Sequence, residues 1–183
     1  MSLLKNILLV MVSPNVGWEE IDKCGYPTSK VMQGAFYPLL ALLALSCFAP
    51  MIYDSTSNTL TSCLMQAIIS FSMYLFTYFF ASYLLSGFYP ELARTKVSLA
   101  RLNNYIIYIL IFLVGVMTLM NFLPGEFAPL YFLMAYAGYM AWRGTRFLGL
   151  PKKKEDLFAV ITAAMLLLFP PAIKFLLQKI IVQ

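Results

Sequence analysis

The stretch Leu60 to Phe88, LTSCLMQAIISFSMYLFTYFFASYLLSGF, runs 29 residues without a charged side chain. A helix rises about 1.5 Å per residue and the hydrocarbon core of a bilayer is about 30 Å thick, so roughly 20 such residues suffice to cross it. Inside lipid every backbone N–H and C=O must be paired within the segment, which leaves helix as the conformation. The stretch therefore predicts a membrane-spanning helix with length to spare for tilt. The chain as a whole agrees, with 61% hydrophobic residues, 11% charged residues and a mean hydropathy of +0.79. Soluble domains carry about 25% charged residues, so this chain cannot cover a water-facing surface with polar groups. The expected class is an all-α, polytopic membrane protein forming one membrane domain.

Four further apolar stretches flank the first. Spans are expected at about 33–53, 60–88, 105–123, 127–148 and 157–182. Before them, residues 1–32 read as an N-terminal interfacial segment. Leu3, Leu4, Ile7, Leu8 and Met11 fall at helical spacing with Lys5 and Asn6 opposite, which suits a helix in the membrane plane. The run Ile7 to Val12 is short for a signal peptide and no small-x-small cleavage site follows, so residues 1–12 read as retained. Ser13-Pro14 reads as an N-cap followed by proline at the first helical position. Trp18 suits the headgroup level, with its indole hydrogen-bonding outward. Prolines punctuate the spans: Pro38 near the start of the first, Pro50 near its end, Pro90 after the second, and Pro170-Pro171 within the fifth. The double proline lacks two backbone donors and predicts a helix break, with Ala172 to Gln183 continuing as a snorkelling end or a second surface helix.

Charge sets the expected direction. The loops between spans one and two, and three and four, hold Asp54 and Glu126 but no Lys or Arg. The N-terminal segment and the two other loops hold 11 of the 13 basic residues, and Lys174 and Lys179 are the remainder. The positive-inside rule then places the N-terminus in the cytoplasm and the C-terminus outside.

Little in the chain points to catalysis. There is no histidine, and Cys24, Cys47 and Cys63 are spaced neither as a disulfide framework nor as a zinc site. Small buried apolar residues are the plainer reading of all three. Glu19-Glu20 and Glu155-Asp156 read as solvated neighbours rather than an acid/base pair. A glycine-rich phosphate loop and a metal-ligand cluster are absent, so no cofactor is expected. The second span does carry a polar face: Ser62, Gln66, Ser70, Tyr74 and Thr77 advance by 4, 4, 4 and 3 residues. Such a face can line a polar path in a small transporter or channel, and Pro170 and Pro171 could mark the discontinuous helix such sites often use. The plainer reading is hydrogen bonding between helices, because no charge accompanies the face. Ala137 and Ala141, with Gly138 between them, permit close helix approach on the fourth span. Arg94, Lys96, Arg101, Lys152, Lys153 and Lys154 could contact anionic lipid headgroups, although topology alone also explains them. With no basic domain outside the membrane, nucleic acid is not an expected partner. Membrane lipids, a membrane-protein partner or a second copy of the chain are.

The layout resembles the Yip family, the Ypt/Rab-interacting membrane proteins, in its bacterial branch. The resemblance covers about residues 7–182. It rests on Ser13-Pro14 followed by Trp18 and Ile21, Tyr37-Pro38 opening the first span, Leu123-Pro124 closing the third, and Gly149-Leu150-Pro151 with a lysine-rich stretch before the last. It implies five membrane helices with a cytoplasmic N-terminus. Eukaryotic members bind small GTPases and carry an acidic Asp-Leu-Tyr-Gly-Pro motif before the first span; this chain lacks it, so that partner is not carried over. The expected role is that of a non-enzymatic inner-membrane protein working through partners or lipids.

A reporter that is active only outside the cytoplasm, fused after Gln183, should be active. Activity of a cytoplasm-only reporter there would reverse the assigned direction.

Overall fold

The computed structural model describes residues 2–53, 58–92, 98–123 and 129–181. Every regular element among them is helical: α1 (Leu3–Val12), α2 (Pro14–Cys24), α3 (Thr28–Val31), α4 (Tyr37–Ser46), α5 (Pro50–Tyr53), α6 (Leu60–Leu92), α7 (Leu99–Phe122), α8 (Pro129–Gly144) and α9 (Lys152–Ile181). Among the described residues four helical stretches are long and apolar enough to cross a membrane: Thr28–Tyr53, Leu60–Tyr89, Leu99–Phe122 and Lys152–Ile180. The expected span at 127–148 is a shorter helix, α8, of 16 residues, extended by the 3₁₀ turn Thr145–Leu148.

The helix α7 is the hub. From Asn104 to Val114 every residue is buried. Such a helix is apolar on all sides and has to be covered on all sides. It packs against α4, α6 and α8, while α9 closes the outer side by packing on α6 and α8. The remaining opening, between α8 and α4, is covered by α1 and α2.

Hydrogen bonds fix which ends lie together. Thr28 Oγ1 donates to the Ala100 carbonyl and Asn104 Nδ2 to the Tyr26 carbonyl, so α3 and α7 start side by side. Ser82 Oγ donates to Asn103 Oδ1, and Tyr89 Oη to the Leu148 carbonyl, both at 2.6 Å. They bring the end of α6 to the start of α7 and to the turn after α8. At the opposite end Tyr53 Oη donates to the Phe122 carbonyl. The long helices thus alternate in direction, as short connections between neighbours require.

Prolines act differently at different places. Pro38 would drive its ring into the carbonyl four residues back, and the chain widens there into the π turn Met32–Phe36, with the Tyr37 N–H on the Met32 carbonyl. Before Pro50 the helix stops at Ser46 and restarts as α5, as expected for a proline at a span end. The break expected at Pro170 and Pro171 does not occur: α9 runs through both without interruption. Two carbonyls lose their partners, but leaving the helix in hydrocarbon would orphan many more. Residues 172–181 consequently continue α9. Likewise α6 runs past Pro90 to Leu92.

The N-terminal segment also differs from expectation. A helix with Asn6 on its polar outer face was expected; Asn6 is fully buried, its Nδ2 donating to Cys24 Sγ on α2. Helices α1 and α2 form an antiparallel hairpin, and α1 exposes Leu4, Lys5, Leu8 and Val12. Pro14 does open α2, but the Ser13 side chain makes no capping bond. Gly17 is where the two helices cross, since a Cβ there would strike the Val10 backbone.

Gly144 is a point of close approach between hairpin and bundle. A Cβ there would lie 2.6 Å from a Tyr105 ring carbon and 2.8 Å from a Trp18 ring carbon. Gly144→Ala should cost about 1–3 kcal/mol, as overpacking does, while Gly87→Ala, whose Cβ meets nothing within 4 Å, should not destabilise. Thermal unfolding in detergent of the two variants checks this; equal melting would contradict it.

Candidate functional site

Three places hold polar or aromatic side chains in specific arrangements. The first is the polar face of α6. Ser62 is exposed at the helix start, where its Oγ donates to the Thr59 carbonyl at 2.8 Å. Gln66 is partly buried, and Ser70, Tyr74 and Thr77 are buried. Gln66 Nε2 donates to Ser70 Oγ at 3.5 Å, and Thr77 Oγ1 to the Met73 carbonyl of its own helix at 2.8 Å. Ser70 is also reached from the end of α4, where Sγ of the next residue, Cys47, donates to its Oγ at 3.7 Å. On α7, Asn121 Nδ2 donates to Ser46 Oγ at 2.9 Å and to Cys47 Sγ at 3.6 Å. Ser46, Cys47, Gln66, Ser70 and Asn121 thus form one network that ties α4, α6 and α7. Sequence reasoning finds Gln66 and Ser70 by their spacing. It misses Ser46, Cys47 and Asn121, which stand singly on other helices; only three-dimensional packing joins them.

The second place is the seat of Trp18. The indole is buried, and its Nε1 donates to the Met140 carbonyl of α8 at 3.2 Å. Its ring lies 5.5 Å from Tyr105, 6.0 Å from Tyr108 and 5.6 Å from Phe147, centroid to centroid. An indole at the headgroup level with its N–H turned outward was expected; the ring instead fills an aromatic socket between α7 and α8, because only there does it bury its whole surface and keep a hydrogen bond. The Ser13-Pro14, Trp18 and Ile21 pattern therefore has a packing meaning: Pro14, Trp18 and Ile21 are all buried. On α8, Ala137 and Ala141 are buried, and Tyr105 Oη reaches the Ala141 carbonyl at 2.9 Å, as the small side chains there permit.

The third place is the basic end of the bundle. Arg94 and Lys96 lie outside the described residues. Arg101 pairs with Asp22 of α2 at 3.0 Å and lies over the Phe147 ring, so it also anchors the hairpin. Lys152, Lys153 and Lys154 are exposed in the first turn of α9. Beside Asp22, Glu20 bonds Lys23 at 3.0 Å, and this hydrogen bond, with the charge behind it, raises the ammonium above its ordinary pKa. Between α2 and α8 lies a cleft of about 290 Å³ whose wall includes Glu19, Asp22, Arg143, Arg146 and Phe147.

The apolar grooves lie elsewhere. One, of about 350 Å³, runs between α1, the π turn with α4, and α7. Another, of about 520 Å³, lies between α4 and α6. The walls of these two grooves and of the α2–α8 cleft do not include Gln66, Ser70, Tyr74 or Thr77. Among the described residues no group of His, Cys, Asp and Glu is placed to hold a metal ion.

If the network on α4, α6 and α7 works as a tie between helices, Ser70→Ala and Asn121→Leu should each lower stability by about 0.6–2 kcal/mol. The double variant should lose less than the sum, since both residues bond to Cys47. Melting of the four proteins in one detergent measures this; strict additivity would show that the two residues do not share a network.

No protein-family model, no curated protein and no solved structure matches the chain.

Proposed function

We propose that the chain is a non-enzymatic, Yip-like protein of a bacterial inner membrane that acts on lipids or partner proteins through its basic end. The observation that carries this reading is the use made of the polar side chains within the bundle. Ser46, Cys47, Gln66, Ser70 and Asn121 bond to one another, and Thr77 bonds its own helix. Polar groups committed in this way hold helices together and do not present themselves to a solute. A transporter or channel would need them free along a path.

The same reading makes α8 a fifth crossing. Its 16 residues rise about 24 Å at 1.5 Å each. The four-residue 3₁₀ turn adds about 8 Å, which together match the hydrocarbon thickness. With five crossings the basic end, carrying Lys30, Arg101, Arg143, Arg146 and Lys152 to Lys154, faces the cytoplasm. Lys174 and Lys179, near the far end of α9, lie towards the outside. The docked α1–α2 hairpin then lies on the cytoplasmic side.

Each basic side chain near an anionic leaflet contributes about 1 kcal/mol of attraction, within a Debye length of about 10 Å at 0.1 M salt. The purified protein should therefore retain anionic phospholipid through detergent extraction at low ionic strength and lose most of it in 1 M salt. Replacing Lys152, Lys153 and Lys154 by Gln should reduce the retained amount at low salt. Equal anionic lipid in wild type and triple variant would remove the support for a lipid-directed basic end.

A further inference from the structure

We propose that the wall formed by Trp142 and Arg143 is a site for one glycerophospholipid whose headgroup carries both a phosphate and an amine. The site rests on the membrane reading above and uses two arginines of the basic end, Arg143 and Arg146, but not Lys152 to Lys154, on which the retention test there turns.

The headgroup side is the cleft between α2 and α8. Arg143 is held in place: its guanidinium lies 4.7 Å from the Trp142 ring and 5.3 Å from the Tyr139 ring, and its Nε donates to Tyr139 Oη at 3.1 Å. Its other N–H donors are left for an acceptor beyond the aromatic edge, in the fork geometry that suits phosphate. Arg146 stands three residues on and lines the same cleft. Among the described residues neither arginine has a carboxylate within ion-pair distance. Two carboxylates also line the cleft from α2, and Asp22 is taken by Arg101. Glu19 is left without an ion pair among the described residues. The cleft therefore offers uncommitted cations and an uncommitted anion, separated by about 290 Å³ of space. An anion alone would satisfy the arginines and repel Glu19. A phosphate joined to an ammonium satisfies both.

The acyl side is a separate space that reaches the headgroup side through Trp142, whose ring lies against the Arg143 guanidinium. A groove of about 490 Å³ follows the α8–α9 seam, walled by Gly138, Ala159, Val160, Ala163 and Ala164, with Trp142 and its partner Asp156 also in the wall. Small side chains keep it open, and its apolar surface suits a hydrocarbon chain. Trp142 is fixed at the junction by its Nε1 donating to Asp156 at 2.8 Å. A phospholipid has the matching order of parts, a charged head above an apolar tail, with an interfacial aromatic ring between them.

Trp18 and Trp142 are the two tryptophans of the chain. Trp18 is 3% exposed and Trp142 42%, so a quencher carried on a lipid chain reads Trp142. The test titrates the protein in detergent micelles with phosphatidylethanolamine or phosphatidylglycerol whose acyl chains carry bromine. We expect half-maximal quenching at about tenfold lower mole fraction for the ethanolamine lipid, the factor one charge-assisted contact supplies. Glu19→Gln should abolish that preference. The Arg143→Gln, Arg146→Gln double variant should shift both curves to higher lipid, and Ala163→Leu, which fills the groove, should weaken quenching by both. Trp142→Phe should remove the signal, and an unchanged blue Trp18 emission in every variant would show that each is folded. Equal curves for the two lipids in the wild type, or curves unmoved in the folded arginine variant, would overturn the site. A loss of the lipid signal to an added membrane-protein fraction, with no difference between the lipids, would also overturn it in favour of a helical partner in the groove. Salt-sensitive retention of anionic lipid by Lys152 to Lys154 would be untouched by any of these failures.

Discussion

The helix Leu99–Phe122 is apolar round its whole circumference, and from Asn104 to Val114 no residue reaches the surface. In hydrocarbon, covering such a helix gains little from the hydrophobic effect, because lipid tails are as apolar as leucine. What holds the cover in place has to be shape and hydrogen bonding. The structure supplies both around α7: Tyr105 reaches the Ala141 carbonyl, Asn103 accepts from Ser82, and Asn121 reaches Ser46 and Cys47. Together these bonds join α7 to α8, α6 and the end of α4, so the helix is registered by contacts in its first turns and at its far end.

The α1–α2 hairpin follows from the same requirement. Four helices pack around or beside α7, but α8 and α4 leave a gap, and the hairpin fills it. Its anchor is Trp18, which alone contacts α7 through Tyr105 and Tyr108, the 3₁₀ turn through Phe147 and α8 through the Met140 carbonyl. Gly17 lets α1 cross close over α2, and Gly144 leaves room for the indole. The pair Asp22–Arg101 adds a charged tie at the rim, where exposure limits it to about 0.2–1 kcal/mol. The energy of docking therefore lies in the aromatic socket and not in the ion pair.

Much of this was legible in the residues. Length and the absence of charge gave the long helices, and the 4-4-4-3 spacing picked out the side of α6 that turns inward at Ser70, Tyr74 and Thr77. Pro50 and the small residues Ala137 and Ala141 behaved as their chemistry suggests. Other features were not legible, for identifiable reasons. Proline rules are drawn from helices in water, where a freed carbonyl can find solvent; in α9 the surrounding hydrocarbon removes that alternative, and the helix continues. Amphipathic spacing in α1 cannot distinguish a lipid-facing stripe from a protein-facing one, so Asn6 was placed on the wrong side. Trp18 has the chemistry of an interfacial residue, and nothing in one sequence reveals that Tyr105, Tyr108 and Phe147 converge on it. The network through Ser46, Cys47 and Asn121 joins residues up to 75 positions apart, a distance no local pattern spans.

The central claim is that Ser46, Cys47, Gln66, Ser70 and Asn121 are committed to one another and line no aqueous path. Cys47 and Cys63 are buried native thiols, and Cys47 belongs to that network, so they report on it without any substitution. In intact membranes a small, charged methanethiosulfonate reagent should leave both unmodified while labelling them fully after denaturation in detergent, as peptide mass analysis would show. Rapid labelling of Cys47 in the folded protein from either side of the membrane would mean that water reaches the network, and would contradict the account.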